Sequence, residues 1–317
     1  MKAKFAIITA IGFAGTLNSQ AALQLYEGFD YTSGLGTTLN GQNGGTGFAG
    51  AWSAINTNSY PSGSPTGFAI CNSTLSTLWN GTVTSVPQTG TFAGSPAPTA
   101  NLSSGFNGNN PDHLMAQRAL DPSVTATFTL GAVTWMSYVE ASNFKANGNG
   151  TGCSFAIGAG SLYTTGTDNR GWTSYGGACI GIGVNSSKQF TAGIWDPSTG
   201  ALSGPAGAAW NTNGIPQIGI AKITWGDALN PTTIQQATFN DGTTLTEAAF
   251  NAAAVSNSAT LDPSTCNMLS LGGARFDVDE LRVGTTFNDA IGAAVPEPTT
   301  TVFSLLGLGT LLIRRRK

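Results

Sequence analysis

Three carboxylates near the C-terminal end have a spacing that could support chemistry: Asp277, Asp279 and Glu280. Two suitably placed carboxylates are what a glycoside hydrolase needs, one acting as acid and the other as base or nucleophile. Because side chains alternate between the faces of a strand, Asp277 and Asp279 would share one face. Glu280 would lie on the other face, next to Arg282. An exported enzyme that hydrolyses or eliminates glycans is therefore one hypothesis for this chain.

Other common catalytic patterns are missing from the sequence. A Ser-His-Asp triad needs a histidine, and the single histidine, His113, stands beside Asp112 in a segment typical of a surface loop. No Gly-x-Ser-x-Gly turn precedes a helix, and no glycine-rich phosphate loop ends in Lys followed by Ser or Thr. We therefore expect a protein that is not an enzyme.

Aromatic side chains are candidates for binding sugar rings. Trp172 and Tyr175, in a Gly-rich segment, are the best candidates for such a platform, although large aromatic side chains are more often core. Trp135, Trp195 and Trp225 stand in apolar strand segments, so we predict that they are core residues.

Acidic side chains form a candidate calcium site. Calcium prefers carboxylate and carbonyl oxygens, so Asp30, Asp277 and Asp279 could bind it if the first and last strands are neighbours. The sequence has no EF-hand spacing, and no other cofactor is expected.

The charge distribution excludes a nucleic-acid role. Only 9% of the 317 residues are charged, against about 25% in ordinary soluble domains. Six of the 13 lysines and arginines lie at the two tips, which leaves seven against 16 acidic residues and a net charge of about −9 for the rest. Phosphate binding needs clustered Lys and Arg side chains, and none are clustered between the tips.

Short β-forming runs bounded by Gly, Asn, Ser and Pro recur between residues 23 and 295. The body is therefore predicted to be all-β and antiparallel, with one short helix over Thr246 to Ala254. The predicted strands are Val124 to Leu130, Val133 to Ser142, Cys153 to Ile157, Ala178 to Val184, Phe190 to Trp195, Ile218 to Trp225, Thr232 to Asn240, Met268 to Leu271 and Asp277 to Val283.

The N-terminal residues have the composition of an export signal. Lys2 and Lys4 precede an apolar run from Phe5 to Leu17, and Ser19-Gln20-Ala21-Ala22 offers small residues to signal peptidase. The run has 13 residues, fewer than the ~20 of a membrane-spanning helix. We predict a signal peptide over residues 1–22 rather than a first transmembrane helix.

The C-terminal residues combine three parts in one order. The motif Pro296, Glu297, Pro298 precedes an apolar segment from Thr301 to Ile313, which is followed by Arg314, Arg315, Arg316 and Lys317. This order resembles the PEP-CTERM sorting signal, which an exosortase embedded in the membrane reads in members of that family. The resemblance implies that residues 295–317 are a sorting signal with a short apolar helix, and that Glu297 is recognised by such an enzyme.

The length and charge of this tail favour transient anchoring. Thirteen helical residues span roughly 20 Å, which is short for a permanent crossing of the inner membrane. The terminal basic cluster should stay cytoplasmic and hold the body outside until a protease acts near the motif. A tail anchor that is never cut is the alternative.

An exported protein meets an oxidising compartment, in which disulfides form. The four cysteines are Cys71, Cys153, Cys179 and Cys266, too widely spaced for a zinc knuckle. Four cysteines allow three pairings, and we predict Cys153 with Cys179 because their strands follow each other closely in the sequence.

The body carries a second resemblance. Residues 27–31 (Glu-Gly-Phe-Asp-Tyr), followed by residues 41–48 and Trp52, resemble the start of exported PEP-CTERM proteins with a concanavalin A-like, laminin-G-like jelly roll. Residues 220–226 and 276–285 resemble the late strands of the same sandwich. The resemblance implies one jelly-roll β-sandwich domain over residues 23–294, in which the last strand returns beside the first.

The resemblance also bears on the acidic cluster. In catalytic members with this fold, carboxylates follow one strand face in the order Glu, Asp, Glu, and residues 277–280 depart from that pattern. We therefore predict that Asp279 and Glu280 are structural, either capping a turn or pairing with arginine. The expected partners are Arg275 and Arg282.

Taken together, these features predict an exported cell-surface or extracellular-matrix protein that is not an enzyme and that binds polysaccharide. Its expected partners are signal peptidase, an exosortase-like membrane protease and an extracellular polysaccharide. Two alternatives remain open: an exported glycan hydrolase or lyase on the same fold, and a structural matrix protein without a ligand.

Overall fold

The computed structural model describes residues 23–29, 31, 39–56, 69–72, 91–94, 114–142, 154–160, 177–184, 190–196, 201–203, 217–240, 243–273 and 276–292. In chain order the strands are β1 (Leu23–Glu27), β2 (Ser53–Asn56), β3 (Ala69–Asn72), β4 (Thr91–Gly94), β5 (Leu114–Ala119), β6 (Val133–Ser142), β7 (Ser154–Ala159), β8 (Cys179–Val184), β9 (Phe190–Asp196), β10 (Ala201–Ser203), β11 (Gln217–Thr224), β12 (Thr232–Asn240), β13 (Val255–Ala259), β14 (Cys266–Gly273) and β15 (Phe276–Gly284). The helices are α1 (Pro122–Thr125), α2 (Glu247–Ala253) and α3 (Phe287–Ile291).

The strands form two antiparallel sheets, which confirms the predicted all-β antiparallel class. The first sheet has the order β13-β12-β11-β6-β15-β4-β3, and β1 also pairs with β15. The second sheet has the order β10-β9-β8-β7-β14-β5-β2. In the first sheet, β1 lies along residues 281–284 of β15, and β4 lies along residues 277 and 278. The first and last strands are therefore neighbours, as the sequence predicted.

The two sheets enclose the main core. Alternation along β6 turns Met136 and Tyr138 into this core, where the Tyr138 ring meets Phe155 of the second sheet edge-on at 5.7 Å. Trp225 is 1% exposed and packs against Phe128 with ring centroids 4.6 Å apart. The sandwich is therefore built by one apolar face from each sheet.

A second, smaller core covers the outer face of the first sheet. Trp135 of β6 points outward and contacts Phe250 of α2 at 4.9 Å and Phe287 of α3 at 5.3 Å, measured between ring centroids. These two helices thus form a third layer. The predicted core positions Trp135, Trp195 and Trp225 are all buried.

Most of the predicted elements agree with the structure. The bounds of β6 and β12 were predicted to the residue, and α2 occupies the predicted short helix. The Thr246 hydroxyl accepts a hydrogen bond from the backbone N–H of Ala249 at 3.0 Å and so begins α2.

One predicted strand, Val124 to Leu130, is wrong. The segment begins with α1, which is capped by Asp121: its carboxylate accepts the backbone N–H of Ser123 at 2.8 Å. Pro122 at the first helical position has a preset φ and no N–H to leave unpaired. The Asp-Pro-Ser start therefore outweighs the β-branched residues that follow.

Candidate functional site: two buried ion-pair clusters

Strand β1 presents successive polar side chains to opposite faces of the first sheet. Tyr26 pairs with Arg282 of β15 on the outer face, and Glu27 pairs with Leu281 on the face toward the main core. Each belongs to a cluster that contains a buried carboxylate and an arginine. We call them the inner cluster, centred on Glu27, and the outer cluster, centred on Glu280.

The inner cluster satisfies both oxygens of Glu27, which is 1% exposed. Its Oε2 accepts hydrogen bonds from Tyr31 Oη at 2.6 Å, Trp52 Nε1 at 3.0 Å and Arg118 Nη1 at 3.0 Å. Its Oε1 accepts the backbone N–H of Phe29 at 2.8 Å. A carboxylate held by four donors is well satisfied without water, so Glu27 is poorly placed to transfer a proton or to ligate a metal.

Arg118 connects the inner cluster to the loop between β1 and β2. Its Nη1 donates to the carbonyl of Gly44 at 2.7 Å and its Nη2 to Asn43 Oδ1 at 2.6 Å, while its Nε donates to the carbonyl of Gly50. The guanidinium also lies over the Phe48 ring, 3.9 Å from its centroid. Because Arg118 is on β5 of the second sheet and Glu27 on β1 of the first, this ion pair joins the two sheets.

Burial has opposite effects on the pKa values of Tyr31 and Arg118, the two titratable partners of Glu27. Burial, followed by the charge of Glu27, raises the pKa of the Tyr31 phenol well above its ordinary value. Burial lowers the pKa of Arg118, and the neighbouring Tyr31 and Glu27 oppose this shift. Tyr31 therefore remains a protonated donor under ordinary conditions, and it serves as a fixed hydrogen-bond partner.

The local sequence explains how the inner cluster forms. Phe29 adopts a left-handed φ of 54°, a strained conformation for a residue with a side chain, and the Glu27 carboxylate holds its N–H in place. Gly47 has a φ of 82°, and a Cβ there would lie 2.2 Å from the carbonyl oxygen of Gln24. The glycine-rich motif at residues 41–48 thus lets the loop lie directly on β1.

The outer cluster lies on the opposite face. The Oε2 of Glu280 accepts a hydrogen bond from Arg282 Nη2 at 2.7 Å, and its Oε1 accepts one from the Tyr26 hydroxyl at 3.1 Å. The Arg282 guanidinium also lies 4.7 Å from the Tyr26 ring centroid. Glu280 is 1% exposed and Arg282 6% exposed, so this ion pair is buried. Burial, together with the Glu280 charge, raises the pKa of the Tyr26 phenol.

A β-bulge in β15 shapes the outer cluster and corrects the predicted alternation. Asp279 lies opposite Val139 and Arg282 opposite Ser137 on β6, so β15 has one residue more than its partner in this interval. Glu280 lies in the bulge with a left-handed φ of 54°, and its N–H donates to Asp279 Oδ1 at 2.8 Å. Simple alternation, which set Glu280 apart from Asp279, therefore fails at the bulge.

The structural reading of the acidic cluster is confirmed for Glu280 by its ion pair with Arg282. A glycosidase acid must be able to exchange its proton with a substrate, and Glu280 is buried and fixed by two partners. Arg275, the other predicted partner, lies outside the described residues.

The proposed calcium ligands are placed only in part. The calcium site required the first and last strands to be neighbours, and β1 and β15 are paired. The backbone of Asp277 lies in β15, but its side chain and the whole of Asp30 are outside the described residues. Asp279 is 3% exposed, with Oδ1 engaged by a backbone N–H. No group of three metal-binding side chains occurs among the residues for which side chains are described.

Two of the four cysteines have described side chains. Cys179 and Cys266 are free and buried, and burial raises the pKa of Cys179 strongly and that of Cys266 to about 12. Cys153, the predicted partner of Cys179, lies outside the described residues.

Several predicted residues lie outside the described part of the chain. These are His113, Trp172, Tyr175, the signal peptide, the motif at residues 296–298 and the basic cluster at residues 314–317. In the parts of the chain that are described, no helix has the length and apolar character needed to cross a membrane.

Sequence reasoning missed the inner cluster. A usable signal was present, because Glu27 is the only charged residue of β1 and Arg118 is the only charged residue of β5. A lone carboxylate and a lone arginine in strands of a chain with few charges indicate a buried pair.

Comparisons with known proteins leave the family open. No protein-family model matches the chain, and no curated protein matches it. Among solved structures, it is similar to a carbohydrate esterase from a Shiga toxin-encoding bacteriophage, with a TM-score of 0.42, 11% identity, and coverage of 84% of this chain and 99% of that one. It is also similar to lectin I from Ulex europaeus, with a TM-score of 0.34, 9% identity, and coverage of 74% and 98%, respectively. An alginate lyase from a Chlorella virus has a TM-score of 0.32 at 8% identity, covering 55% of this chain and 76% of that one. Likenesses this distant give no argument about the chemistry of this chain.

Proposed function

We propose that this chain is an exported protein of the cell surface or extracellular matrix, sorted by an exosortase-like protease, whose jelly-roll sandwich binds polysaccharide without cleaving it. The observation that carries the sorting proposal is the tripartite tail: Pro296, Glu297 and Pro298, then the apolar segment, then the basic cluster. Together with the N-terminal signal, it predicts export followed by transient anchoring in the inner membrane.

The body supports a binding role better than a catalytic one. Glu27 and Glu280, the two most deeply buried carboxylates described, are each held by an arginine and a tyrosine. Asp121 and Asp262 cap turns, and hydrogen bonds from the following serines lower their pKa values. We infer that these carboxylates stabilise the fold.

The two aromatic residues proposed to bind sugar lie, in the sequence, between two neighbouring strands of the second sheet. Trp172 and Tyr175 belong to the connection between β7, which ends at Ala159, and the neighbouring β8, which begins at Cys179. Loops at the end of a sandwich commonly carry the binding residues of such folds. We assign polysaccharide contact to this connection, with a calcium ion at Asp30, Asp277 and Asp279 as an accessory proposal.

The sorting proposal is tested with the full chain in a host that has an exosortase. Glu297→Gln should leave the apolar tail attached, and the intact mass of the protein recovered from the envelope reports this directly. Glu247→Gln, which removes an exposed carboxylate from α2, is the matched control and should be processed like the parent. If the parent itself keeps its tail in such a host, the chain is a permanent tail-anchored protein.

The binding proposal is tested on a polysaccharide array, with and without calcium, while released products are measured. We expect saturable binding without products, weakened at least about tenfold by Trp172→Ala, as expected for loss of a large stacking surface. Leu229→Ala, at a residue that is 91% exposed, controls for loss of an exposed apolar side chain. Released oligosaccharides would instead establish the glycan hydrolase or lyase, and silence on every glycan would leave a structural matrix protein.

A further inference from the structure

Strand β13 is an edge of the first sheet. Among the described strands it pairs only with β12, and Ser256 and Ser258 on its outer side are exposed. Val255, Asn257 and Ala259 alternate with them and are partly buried toward the second sheet. No described strand therefore pairs with the other side of β13.

Among the described residues, this edge shows none of the usual features that keep sheet edges apart. Protein edges are usually protected by a charged side chain, a proline, a bulge or a covering segment. The sequence of β13 is Val-Ser-Asn-Ser-Ala, with no charge and no proline, and its five residues pair with β12 in unbroken register. A neutral, regular edge accepts another strand without like-charge repulsion or steric conflict.

One backbone N–H on this edge donates to a side chain of its own strand instead of to a neighbouring strand. The N–H of Ser258 donates to the Oδ1 of the preceding Asn257 at 2.8 Å, in an exposed position. A donor that bonds to the adjacent side chain is directed away from β12 and is available for exchange. By the two-residue period of a strand, the backbone groups of Ser256 face the same way.

The sequence of the edge is nearly symmetric about Asn257, so a second copy of the same strand can pair with it antiparallel, with serine opposite serine. We propose that β13 pairs antiparallel with β13 of a second copy of this chain, about a two-fold axis at Asn257. Ser256 then lies opposite Ser258 of the second copy, and Val255 opposite Ala259. The two serine pairs are the hydrogen-bonded pairs of the new ladder, each exchanging two N–H to C=O bonds.

The consequence is one continuous sheet through two copies, with the same surface used on both sides. A strand pair of this length is a small interface, so the association is weak and depends on concentration. This inference goes beyond the proposed function, since it concerns the body itself and needs neither a glycan nor the sorting tail.

The test uses paired charges on the full chain in density-matched detergent, with the molar mass measured by sedimentation equilibrium up to about 100 μM, because small interfaces are weak. Ser256→Lys combined with Ser258→Lys places like charges opposite each other twice and should weaken the dimer about tenfold. Ser256→Lys combined with Ser258→Glu places opposite charges together and should restore the dimer to the parent level. All these positions are exposed, so unfolding curves should match the parent.

Two outcomes overturn the proposal. The first is a parent chain that stays monomeric at the highest concentration. The second is a dimer that forms equally well with like and with opposite charges, which would place the contact elsewhere, for example in the apolar tail that all variants share. Restoration by the opposite-charge variant alone supports pairing of residues 256 and 258 across a two-fold axis.

Discussion

Arg118 and Arg282 account for two of the seven basic residues between the tips, and both are buried against a carboxylate. Burying a charge is costly unless it is paired and its remaining hydrogen-bonding groups are satisfied. Arg118 meets that requirement with bonds from all three of its nitrogens. Its role is to fix the Gly-rich loop and the two sheets in one arrangement.

Removing Arg118 should therefore be far more harmful than removing an ordinary surface charge. We expect Arg118→Met to lower the free energy of unfolding by about 3–5 kcal/mol, because it leaves the Glu27 carboxylate buried and unpaired. Urea unfolding followed by fluorescence measures the change. Glu247→Gln, at an exposed site, should change the value by less than about 0.5 kcal/mol.

A double variant separates the lost ion pair from lost packing. Glu27→Gln together with Arg118→Met removes both charges, so the loss should be smaller than with Arg118→Met alone. The single variant Glu27→Gln completes the comparison. If the losses of the two single variants simply add up in the double variant, the ion pair does not hold the sheets together, and the contribution of Arg118 comes from its contacts with Phe48 and Trp52.

Tyr31 predicts a dependence of stability on alkaline pH. Its pKa is raised in the folded protein, so the stability linked to it is fully present below the unfolded value of about 10 and is lost as the pH rises above that value. Tyr31→Phe should lower stability at pH 7 by about 1 kcal/mol, since Glu27 loses one donor. Above pH 10 the stability of the variant should fall less steeply than that of the parent, as urea unfolding at several pH values would show. Equal slopes would mean that Tyr31 titrates normally.

The two ion pairs show what sequence can and cannot predict about single residues. The Glu280–Arg282 pair was predictable because residues two apart in a strand share a face, and the intervening bulge did not break the contact. The Glu27–Arg118 pair joins residues 91 positions apart on different sheets. Such a contact depends on how the sheets stack, which no local pattern specifies.

At the scale of elements, α3 is held directly on β15. Asp289 Oδ2 accepts the backbone N–H groups of Thr285 at 3.0 Å and Thr286 at 2.8 Å, and the Thr286 hydroxyl accepts that of Asp289 at 3.2 Å. The Ser137 hydroxyl of β6 donates to the carbonyl of Ala290. A five-residue helix is too short to be stable alone, so these bonds and its apolar side chains must hold it.

The close contact between α3 and β15 can be tested at Gly284. A Cβ at this position would lie 2.2 Å from the Cβ of Asp289, so Gly284→Ala must displace the helix. We expect a loss of about 1–3 kcal/mol in unfolding free energy, measured by urea denaturation. Gly50→Ala is the matched control, because a Cβ there meets nothing within 4 Å, and it should be close to neutral. If the two variants are equally stable, α3 does not rest on Gly284 as described.

The success of element prediction followed the strength of the local pattern. The bounds of long strands such as β6 and β12 could be predicted to the residue because these strands are rich in β-branched and aromatic residues. The helix α3 was missed although Thr286 and Asp289 form a capping box, since five residues carry too little periodicity to recognise. Edge strand β13, with two serines and an asparagine, has little strand propensity and depends on pairing with β12.

At the scale of the whole molecule, the described strands β1 and β15 join the two ends of the body. Their pairing brings the inner and outer clusters to opposite faces of one strand, so the same segment supports both the main core and the helical layer. The sequence resemblance implied that the last strand lies beside the first. It did not predict that Glu27, at the other end of the body, would also be used to hold the fold.

The burial of Cys179 and Cys266 makes whole-molecule opening measurable. Both thiols are free, with pKa values raised by burial, so the reactive thiolate is scarce and inaccessible in the folded protein. We expect alkylation of these two residues at pH 7 to be at least about 1,000-fold slower than in urea, because it requires opening of the core. Mass mapping of the peptides that contain them, without reductant, gives each rate separately. Rapid labelling of the native protein would contradict their burial, and a Cys179 that stays unlabelled in urea until a reductant is added would show that it is in a disulfide.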